Sequence, residues 1–214
     1  MPISVEAEVF GMKTVQKLTP RSLAAGVFAH VSIMEINLII TKFYPSDSLA
    51  YHVLLTHSMA VARKAVDLAL NLNLSNKEVE FITEAALLHD IGIIYTSAPQ
   101  IGCFGDLPYI CHGYKGHDLL ISEGLPLHAL VCERHTGTGL TLNDIDGFGG
   151  LLPRRPMEPI SLPEKLITYC DKFFSKDLTK LEEEKSFESA LAGILKYGED
   201  KGNIFREWHH QFNP

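Results

Sequence analysis

The chain has 214 residues, of which 46% are hydrophobic and 21% are charged, and its formal net charge at pH 7 is −7. These proportions are typical of a globular protein that is large enough to bury a core without disulfide cross-links. The acidic balance argues against general binding to nucleic acid polymers or to anionic membranes, which attract basic proteins.

The N-terminus and the cysteines set further limits on the class of protein. The N-terminus has no basic segment followed by an apolar signal core, and the longest apolar stretch, residues 31–40, is too short to span a bilayer. The four cysteines form no Cys-x-x-Cys pair, so a zinc–thiolate site or a redox motif has little support. The spacing of Cys132 and His135 would allow chelation, but a core thiol is the default interpretation for Cys132. We therefore expect a cytoplasmic protein with reduced thiols.

Hydrophobic periodicity predicts a chain made almost entirely of helices. After an irregular arm over residues 1–20, helices are predicted over residues 22–43, 46–72, 75–90, 113–122, 126–135, 163–175, 186–197 and 204–212. Pro45 ends the first of these, and Ser46 or Ser48 caps the second. Ser75 with Glu78 three residues later has the spacing of a capping box.

Two segments rich in glycine and proline, residues 95–111 and 136–162, are predicted to be loops. Thr141 and Asp144 indicate a short helix inside the second loop. Strand signals are scarce, and there is no internal repeat. The predicted fold is an all-α helical bundle in three parts: an N-terminal arm and helix (residues 1–45), a central bundle (residues 46–178) and C-terminal helices of the same domain (residues 179–214).

Four polar residues lie on faces that the hydrophobic spacing marks as buried. His57 and Asp171 each have apolar neighbours three and four residues away on their predicted helices. His89 and Asp90 directly follow the apolar run of residues 85–88. Three helices would thus bring two imidazoles and two carboxylates towards the core.

A single buried histidine or aspartate is most often hydrogen-bonded and structural. Four of them would each need a partner, whereas one divalent cation would satisfy all four. Two imidazoles with two carboxylates suit a first-row transition metal better than calcium. The pattern therefore favours a metal site over four unrelated structural residues.

This pattern resembles the H…HD…D signature of the HD-domain superfamily. His89 and Asp90 open an HDIG sequence at residues 89–92, and "YCDKFFSK" surrounds Asp171. The resemblance covers about residues 46–178, and the chain is most similar to small stand-alone HDIG proteins. It implies an HD-domain helical bundle. For most members it also implies a metal-dependent phosphohydrolase, although some are di-iron oxygenases.

Two further histidines resemble ligands of HD proteins that hold two metals. "HGYKGHDLL" at residues 112–120 is similar to their H-x-x-x-G-x-x-[IL]-L element, and "ERHTGTG" places His135 at another ligand position. The resemblance implies that His112 and His135 hold a second ion, with Asp90 bridging the pair. His112 is favoured over His117 because Gly116 then follows at the expected distance. The alternative is that His112 is an ordinary loop histidine.

The sequence also departs from familiar HDIG patterns. Ile93 stands where many HDIG proteins have a lysine that contacts substrate phosphate. The paired histidines and the GYP motif of cyclic-dinucleotide phosphodiesterases are absent, because Arg134 precedes His135 and "GTGLTLNDI" follows. These differences argue against cyclic di-GMP as the substrate.

The resemblance implies hydrolysis of a small phosphate ester, such as a nucleotide, by a metal-activated water. The proposed cofactors are two divalent ions of iron, manganese, nickel, cobalt or zinc. The predicted catalytic residues are Asp90, Arg134 and Lys172, and the predicted substrate-binding residues are Arg134, His117 and Lys176. Arg154 and Arg155 are weaker candidates for phosphate contacts. The two predicted loops are expected to surround the pocket, and their composition would permit a lid.

Two other functions remain open from sequence alone. One is a di-iron oxygenase with the same six ligands, and the other is a metal-binding regulatory module without turnover. The substrate partner is expected to be a small molecule, and a homo-oligomer is allowed.

Overall fold

The computed structural model of the protein describes residues 35–213, and this part of the chain is built almost entirely from helices. The α-helices cover residues 35–43 (α1), Leu49–Asn71 (α2), Asn76–Leu88 (α3), His112–Ser122 (α4), Pro126–Arg134 (α5), Leu142–Gly147 (α6), Leu162–Asp171 (α7), Phe187–Leu195 (α8) and Glu199–Phe212 (α9). The predicted all-α fold is confirmed. The predicted arm over residues 1–20 and the first part of the predicted helix 22–43 lie outside the described residues.

The segment between α3 and α4 contains most of the remaining regular structure. Three short 3₁₀ helices cover Ile91–Tyr95, Pro99–Ile101 and Tyr109–Cys111. Two strands of two residues each, β1 (Ser97–Ala98) and β2 (Cys103–Phe104), pair antiparallel, with Ser97 opposite Phe104. The segment predicted as a loop, residues 95–111, therefore contains short 3₁₀ helices and one antiparallel strand pair.

Several helices begin at the predicted capping residues. Ser48 is the N-cap of α2, and its hydroxyl accepts a hydrogen bond from the backbone N–H of Tyr51. Ser75 and Glu78 form the complete capping box of α3. An equivalent box between Thr141 and Asp144 begins α6. Each cap satisfies backbone N–H groups that have no partner inside the helix, which fixes where the helix starts.

Two helix boundaries differ from the prediction by four or five residues. The helix predicted over residues 163–175 ends at Asp171, because the next residues form tighter i→i−3 bonds, including one from the N–H of Phe174 to the carbonyl of Asp171. The last helix begins at Glu199, five residues before the predicted start at Ile204. Its polar first turn has little hydrophobic signal, but Glu199 and Asp200 suit the positive end of the helix dipole.

One large cluster of buried side chains runs through the bundle. It extends from Ile36 and Ile40 in α1, through α2, α3 and α7, to Phe205 and Phe212 in α9. A smaller cluster lies beneath the loop of residues 136–162, and its buried members are Cys111, Ile145, Leu152 and Met157. No helix within residues 35–213 is long and apolar enough to cross a membrane.

Glycines allow an unusually close approach between α4, α5 and the first 3₁₀ helix. A Cβ atom added to Gly92 would lie 2.1 Å from the carbonyl oxygen of His112, and one added to Gly116 would lie 2.2 Å from Sγ of Cys132. Both distances are far below van der Waals contact, so any side chain would force these elements apart. The glycine of the HDIG sequence therefore sets the position of α4.

Candidate metal centre

The four polar residues of the H…HD…D pattern meet in the interior. His57 lies in the middle of α2, His89 is the C-cap of α3, Asp90 follows it, and Asp171 is the last residue of α7. Nε2 of His57 is 3.2 Å from Oδ2 of Asp90 and 2.9 Å from Oδ1 of Asp171. Nε2 of His89 is 3.1 Å and 3.5 Å from the same two atoms. All four side chains are buried, and their ligand atoms lie within 4.8 Å of one another.

A second group of ligand atoms shares Asp90 with the first. His112 is the first residue of α4, and His135 is the C-cap of α5. Oδ1 of Asp90 lies 3.6 Å from Nε2 of His112 and 3.4 Å from Nε2 of His135, while the two imidazole nitrogens are 3.1 Å apart. Asp90 therefore presents Oδ2 to one group and Oδ1 to the other. This arrangement suits a carboxylate that bridges two ions.

Backbone carbonyls set the orientation of three of the imidazoles. Nδ1 of His89 donates to the carbonyl of Ala86 at 2.6 Å, Nδ1 of His112 to Tyr109 at 2.6 Å, and Nδ1 of His135 to Cys132 at 2.7 Å. A carbonyl can only accept, so each ring carries a proton on Nδ1, and Nε2 is the atom that would coordinate a metal.

Three ligand atoms also have unmet hydrogen-bonding capacity. Within residues 35–213, Nε2 of His89 and both carboxylate oxygens of Asp90 are buried and make no hydrogen bond, although the Lys176 ammonium lies 2.6 Å from Oδ2. Buried polar atoms normally have partners, so these atoms point to a bound group. Nitrogen and carboxylate donors of this kind fit a transition metal.

The charge states of the site reflect competition between burial and neighbouring charges. Burial would raise the pKa of the Asp90 carboxyl, but the Lys176 ammonium and His89 hold it well below its usual range. Burial likewise opposes ionisation of Asp171, and Lys172 is the main neighbour that lowers its pKa.

In the metal-free protein burial would lower the pKa of His89, yet Asp90 and Asp171 together raise it to about 9. Burial and the adjacent His135 lower the pKa of His112 to about 3.

Lysines surround the two carboxylates. Nζ of Lys176 is 2.6 Å from Oδ2 of Asp90, and Nζ of Lys172 is 2.6 Å from Oδ2 of Asp171 and donates to the carbonyl of His135 at 3.0 Å. Asp171, Lys172 and Lys176 all line a cavity of about 440 Å³, which the loop after His135 borders. Anionic groups that enter this cavity would meet ammonium groups beside the candidate metal ligands.

The other predicted site residues have different surroundings. Arg134 donates to Oε2 of Glu164 at 2.9 Å, at the start of α7. His117 lies on α4 next to Asp118, with 3.2 Å between Nδ1 and Oδ1 of that carboxylate, and it does not line the cavity. Contacts of either side chain with phosphate stay predictions.

The weaker arginine candidates are also paired with carboxylates. Arg154 contacts Asp146 on the surface, and Arg155 contacts the buried carboxylate of Glu133. Cys132 is buried and has a free thiol, and it belongs to neither group of ligand atoms.

Sequence reasoning missed several residues that shape the site. Tyr44 is fully buried, and its hydroxyl donates to the carbonyl of Ile91 at 2.6 Å and accepts from the N–H of Ile94 at 3.0 Å, which fixes the turn after Asp90. Lys185 and Thr138 line the cavity. Thr138 lies in the "ERHTGTG" segment but was not singled out, and Lys185 belongs to no motif, so only the folded arrangement reveals their place at the cavity.

The sequence of the chain matches the model of a known protein family. The sequence model of the HD domain matches residues 54–175, which is more than half of the chain. An uncharacterized protein of Methanocaldococcus jannaschii is 32% identical over 140 residues, which cover 63% of this chain and 75% of that protein.

Two longer relatives are named tRNA (cytidine(56)-2'-O)-methyltransferase. The protein of Thermoplasma volcanium is 27% identical over 163 residues, 72% of this chain and 42% of its own length. The protein of Picrophilus torridus is 28% identical over 131 residues, 58% of this chain and 35% of its own length. The chain thus spans less than half of either methyltransferase. No solved structure matches the chain.

Proposed function

The chain belongs to the HD-domain family, and on that premise we propose that it is a metal-dependent phosphohydrolase acting on a small phosphate ester. The observation that carries this proposal is a cavity that is lined by Asp171 of the buried ligand cluster and by four lysines, which are Lys172, Lys176, Lys185 and Lys201. Lysine ammonium groups are common partners of phosphate. The same ammonium groups would contribute little to the binding of an uncharged substrate.

The residues present fit two divalent ions of iron, manganese, cobalt, nickel or zinc. His57, His89, Asp90 and Asp171 would hold one ion, and Asp90, His112 and His135 would hold the other. When bound, such ions supply Lewis acidity and lower the pKa of water towards neutrality.

The side chains of the protein would contribute binding and orientation. Lys172 and Lys176 keep the carboxylates of Asp171 and Asp90 ionised and available as ligands. Both lysines also face the cavity, where their ammonium groups would attract phosphoryl oxygens and offset negative charge during the reaction. Asp90, buried and shared between the two groups, would orient the attacking water.

Metal analysis followed by a phosphoester screen tests this function. The freshly purified protein is analysed for metals, and phosphate release is then measured across a broad panel of phosphate esters with the metal found. We expect metal-stimulated release for at least one ester. Iron with substrate-dependent oxygen uptake and no phosphate release would instead identify an oxygenase. Absence of turnover at every metal loading would indicate a binding module.

The proposed second ion has a separate test, which compares metal stoichiometry in three variants. We expect two ions per chain in the wild type and about one in His112→Ala and His135→Ala, because each substitution removes a nitrogen donor from the smaller group of ligands. His117→Ala is the matched control, since it removes a histidine of α4 outside either group. One ion in all four proteins would contradict a dinuclear centre.

The activity named for the two methyltransferase relatives is not proposed for this chain. The chain covers 42% of one relative and 35% of the other, so most of each relative has no counterpart here. The small-molecule proposal also agrees with the net charge of −7, which disfavours a long polyanionic partner.

A further inference from the structure

The cavity beside the metal ligands has a wall that the family match does not cover. The match ends at residue 175, yet α8, α9 and the segment before them also line the cavity. Six lining residues follow residue 175, which are Lys176, Lys185, Gly193, Ile194, Tyr197 and Lys201. The C-terminal segment therefore forms part of the space that a substrate would occupy.

Lys185 differs from the other lysines of this cavity in that no described carboxylate lies within ion-pair distance of its ammonium group. Lys172, Lys176 and Lys201 each form an ion pair at 2.6 Å. Within residues 35–213, Lys185 makes no ion pair, and Nζ donates to the carbonyl of Phe174 at 3.2 Å. An ammonium group has three donors, so Nζ can also bind an anion in the cavity.

The surroundings of Lys185 also favour an anionic partner. The side chain is partly buried, and burial lowers its pKa because the charged form loses hydration. The Asp171 carboxylate opposes this fall in pKa, while Lys172 and Lys176 add to it. A phosphate group bound among the three ammonium groups would relieve this repulsion and replace the lost hydration.

Apolar side chains of the same wall suit the organic part of an ester. Ile194 is buried, and Tyr197 lines the cavity with 78% of its surface exposed. A large exposed aromatic ring at the edge of a cationic cavity offers a flat surface for packing. Phe148 lines the same cavity and is only partly buried.

We propose that the C-terminal segment is the substrate-recognition wall, in which Lys185 binds a phosphate oxygen and Tyr197 packs against the organic group. The favoured substrates are phosphate monoesters with an apolar ring rather than a short alkyl or strongly polar group. This inference rests on the proposed function, because it assigns the substrate class of the same site.

Calorimetric titration of the metal-loaded protein with inorganic phosphate tests Lys185. We expect Lys185→Met to weaken phosphate binding about 10-fold or more, since a hydrogen bond to a charged group is lost, and Lys185→Arg to restore most of the affinity. Lys196→Met, which removes an exposed lysine outside the cavity, controls for net charge. Metal content and melting temperature identify any variant that has lost the fold.

Equal phosphate affinity in wild type and Lys185→Met would overturn the role of Lys185, as would a wild type that binds no phosphate. This readout does not require turnover. A protein that hydrolyses no ester would end the proposed function, while the titration would still decide the role of Lys185. Conversely, an active enzyme with an unaffected Lys185→Met variant would end this inference alone.

Competition against phosphate tests Tyr197. Phenyl phosphate should bind more tightly than methyl phosphate to the wild type, and Tyr197→Ala should reduce that preference roughly 3- to 10-fold. Tyr95→Ala, at a partly exposed tyrosine outside the cavity, is the control. An unchanged preference in Tyr197→Ala, or no preference in the wild type, would overturn the proposed substrate class.

Discussion

At the scale of single residues, Asp90 is the point at which the two groups of ligands meet. It is fully buried, and its oxygens are divided between the two groups of imidazoles. Lys176 supplies a nearby positive charge to the same carboxylate. A change at Asp90 should therefore affect both proposed ions together, whereas a change at His112 or His135 should affect one.

Asp90→Asn should remove bound metal and activity while the helical circular dichroism stays close to that of the wild type. The amide has nearly the same shape but lacks the negative charge that a bridging ligand needs. Metal analysis and circular dichroism check both parts. Asp118→Asn is the matched control because its carboxylate is exposed on α4. Full metal content in Asp90→Asn would contradict a bridging role.

The pKa of His112 predicts a pH dependence for the metal-free protein. Its folded pKa of about 3 lies below the usual value of 6.5, so the unfolded chain binds more protons between these values. The associated stability is present above pH 6.5 and is lost as the pH falls towards 3. Between pH 6.5 and pH 5 the wild type should lose about 1.5 kcal/mol more unfolding free energy than His112→Gln.

Urea unfolding of chelator-treated protein at the two pH values measures this difference. His89 has the opposite shift, to about 9, so its contribution is present below pH 6.5 and is lost as the pH rises through 9. Between pH 6.5 and pH 5 the stability contribution of His89 therefore changes little, so the measured change in unfolding free energy reports mainly on His112. The same pH slope in wild type and His112→Gln would contradict a buried neutral His112.

At the scale of elements, close helix packing places the second group of ligands. Gly92 follows Asp90 in the first 3₁₀ helix and lies against the start of α4, where His112 is located, while Gly116 lies against Cys132 of α5. His135 follows α5 directly. The three elements thus carry Asp90, His112 and His135 at separations that these glycines determine.

Gly116→Ala should destabilise the protein by about 1–3 kcal/mol, as expected when a methyl group is forced into a packed interior. It should also weaken binding of the ion at His112 and His135 more than binding at His57 and Asp171. Chemical denaturation and metal stoichiometry measure the two effects. Gly147→Ala, where an added Cβ meets nothing within 4 Å, should change neither.

Local sequence signals predicted the elements better than their ends. Ser48, as one of two alternatives, and Ser75 were predicted as caps, and Thr141 with Asp144 indicated a short helix, because such signals act within one helical turn. The end of α7 at Asp171 depends on tertiary contacts of the following residues, such as the bond from the N–H of Lys185 to the carbonyl of Phe173. Such long-range bonds leave no periodic pattern in the sequence.

At the scale of the whole molecule, the sequence indicated the six candidate ligands but only part of the cavity. Four of the candidate ligands were expected on buried helix faces, and His112 and His135 were implied by the resemblance. The loop after His135 was expected to surround the pocket, and it does border the cavity, whereas the C-terminal part of the lining was not expected.

Lys201 reaches the cavity on α9, which packs against α7, and it donates to the carbonyl of Gly139 at 3.0 Å. Lys185 is held by the bond from its N–H to the carbonyl of Phe173, and Tyr197 lies in the turn between α8 and α9. The resemblance to the HD superfamily covers none of these residues.

Removal of metal should destabilise the entire domain in one transition rather than loosen a single loop. The ligands come from α2, α3, α4, α5 and α7, so the ions would bind only when all five elements are packed together. Differential scanning calorimetry should show a lower melting temperature after chelation, with a single peak before and after. An unchanged melting temperature would argue against metal in this cluster.

The separation of the ligands along the chain has a consequence for biosynthesis. His57 and Asp171 lie 2.9 Å apart at their nearest atoms but are 114 residues apart in sequence. A chain emerging from the ribosome would therefore present His57, His89 and Asp90 well before the ligand that completes the group has been translated. Stable binding of the proposed ion would therefore have to wait until α7 has docked, which would make metal acquisition a late event that follows completion of the bundle.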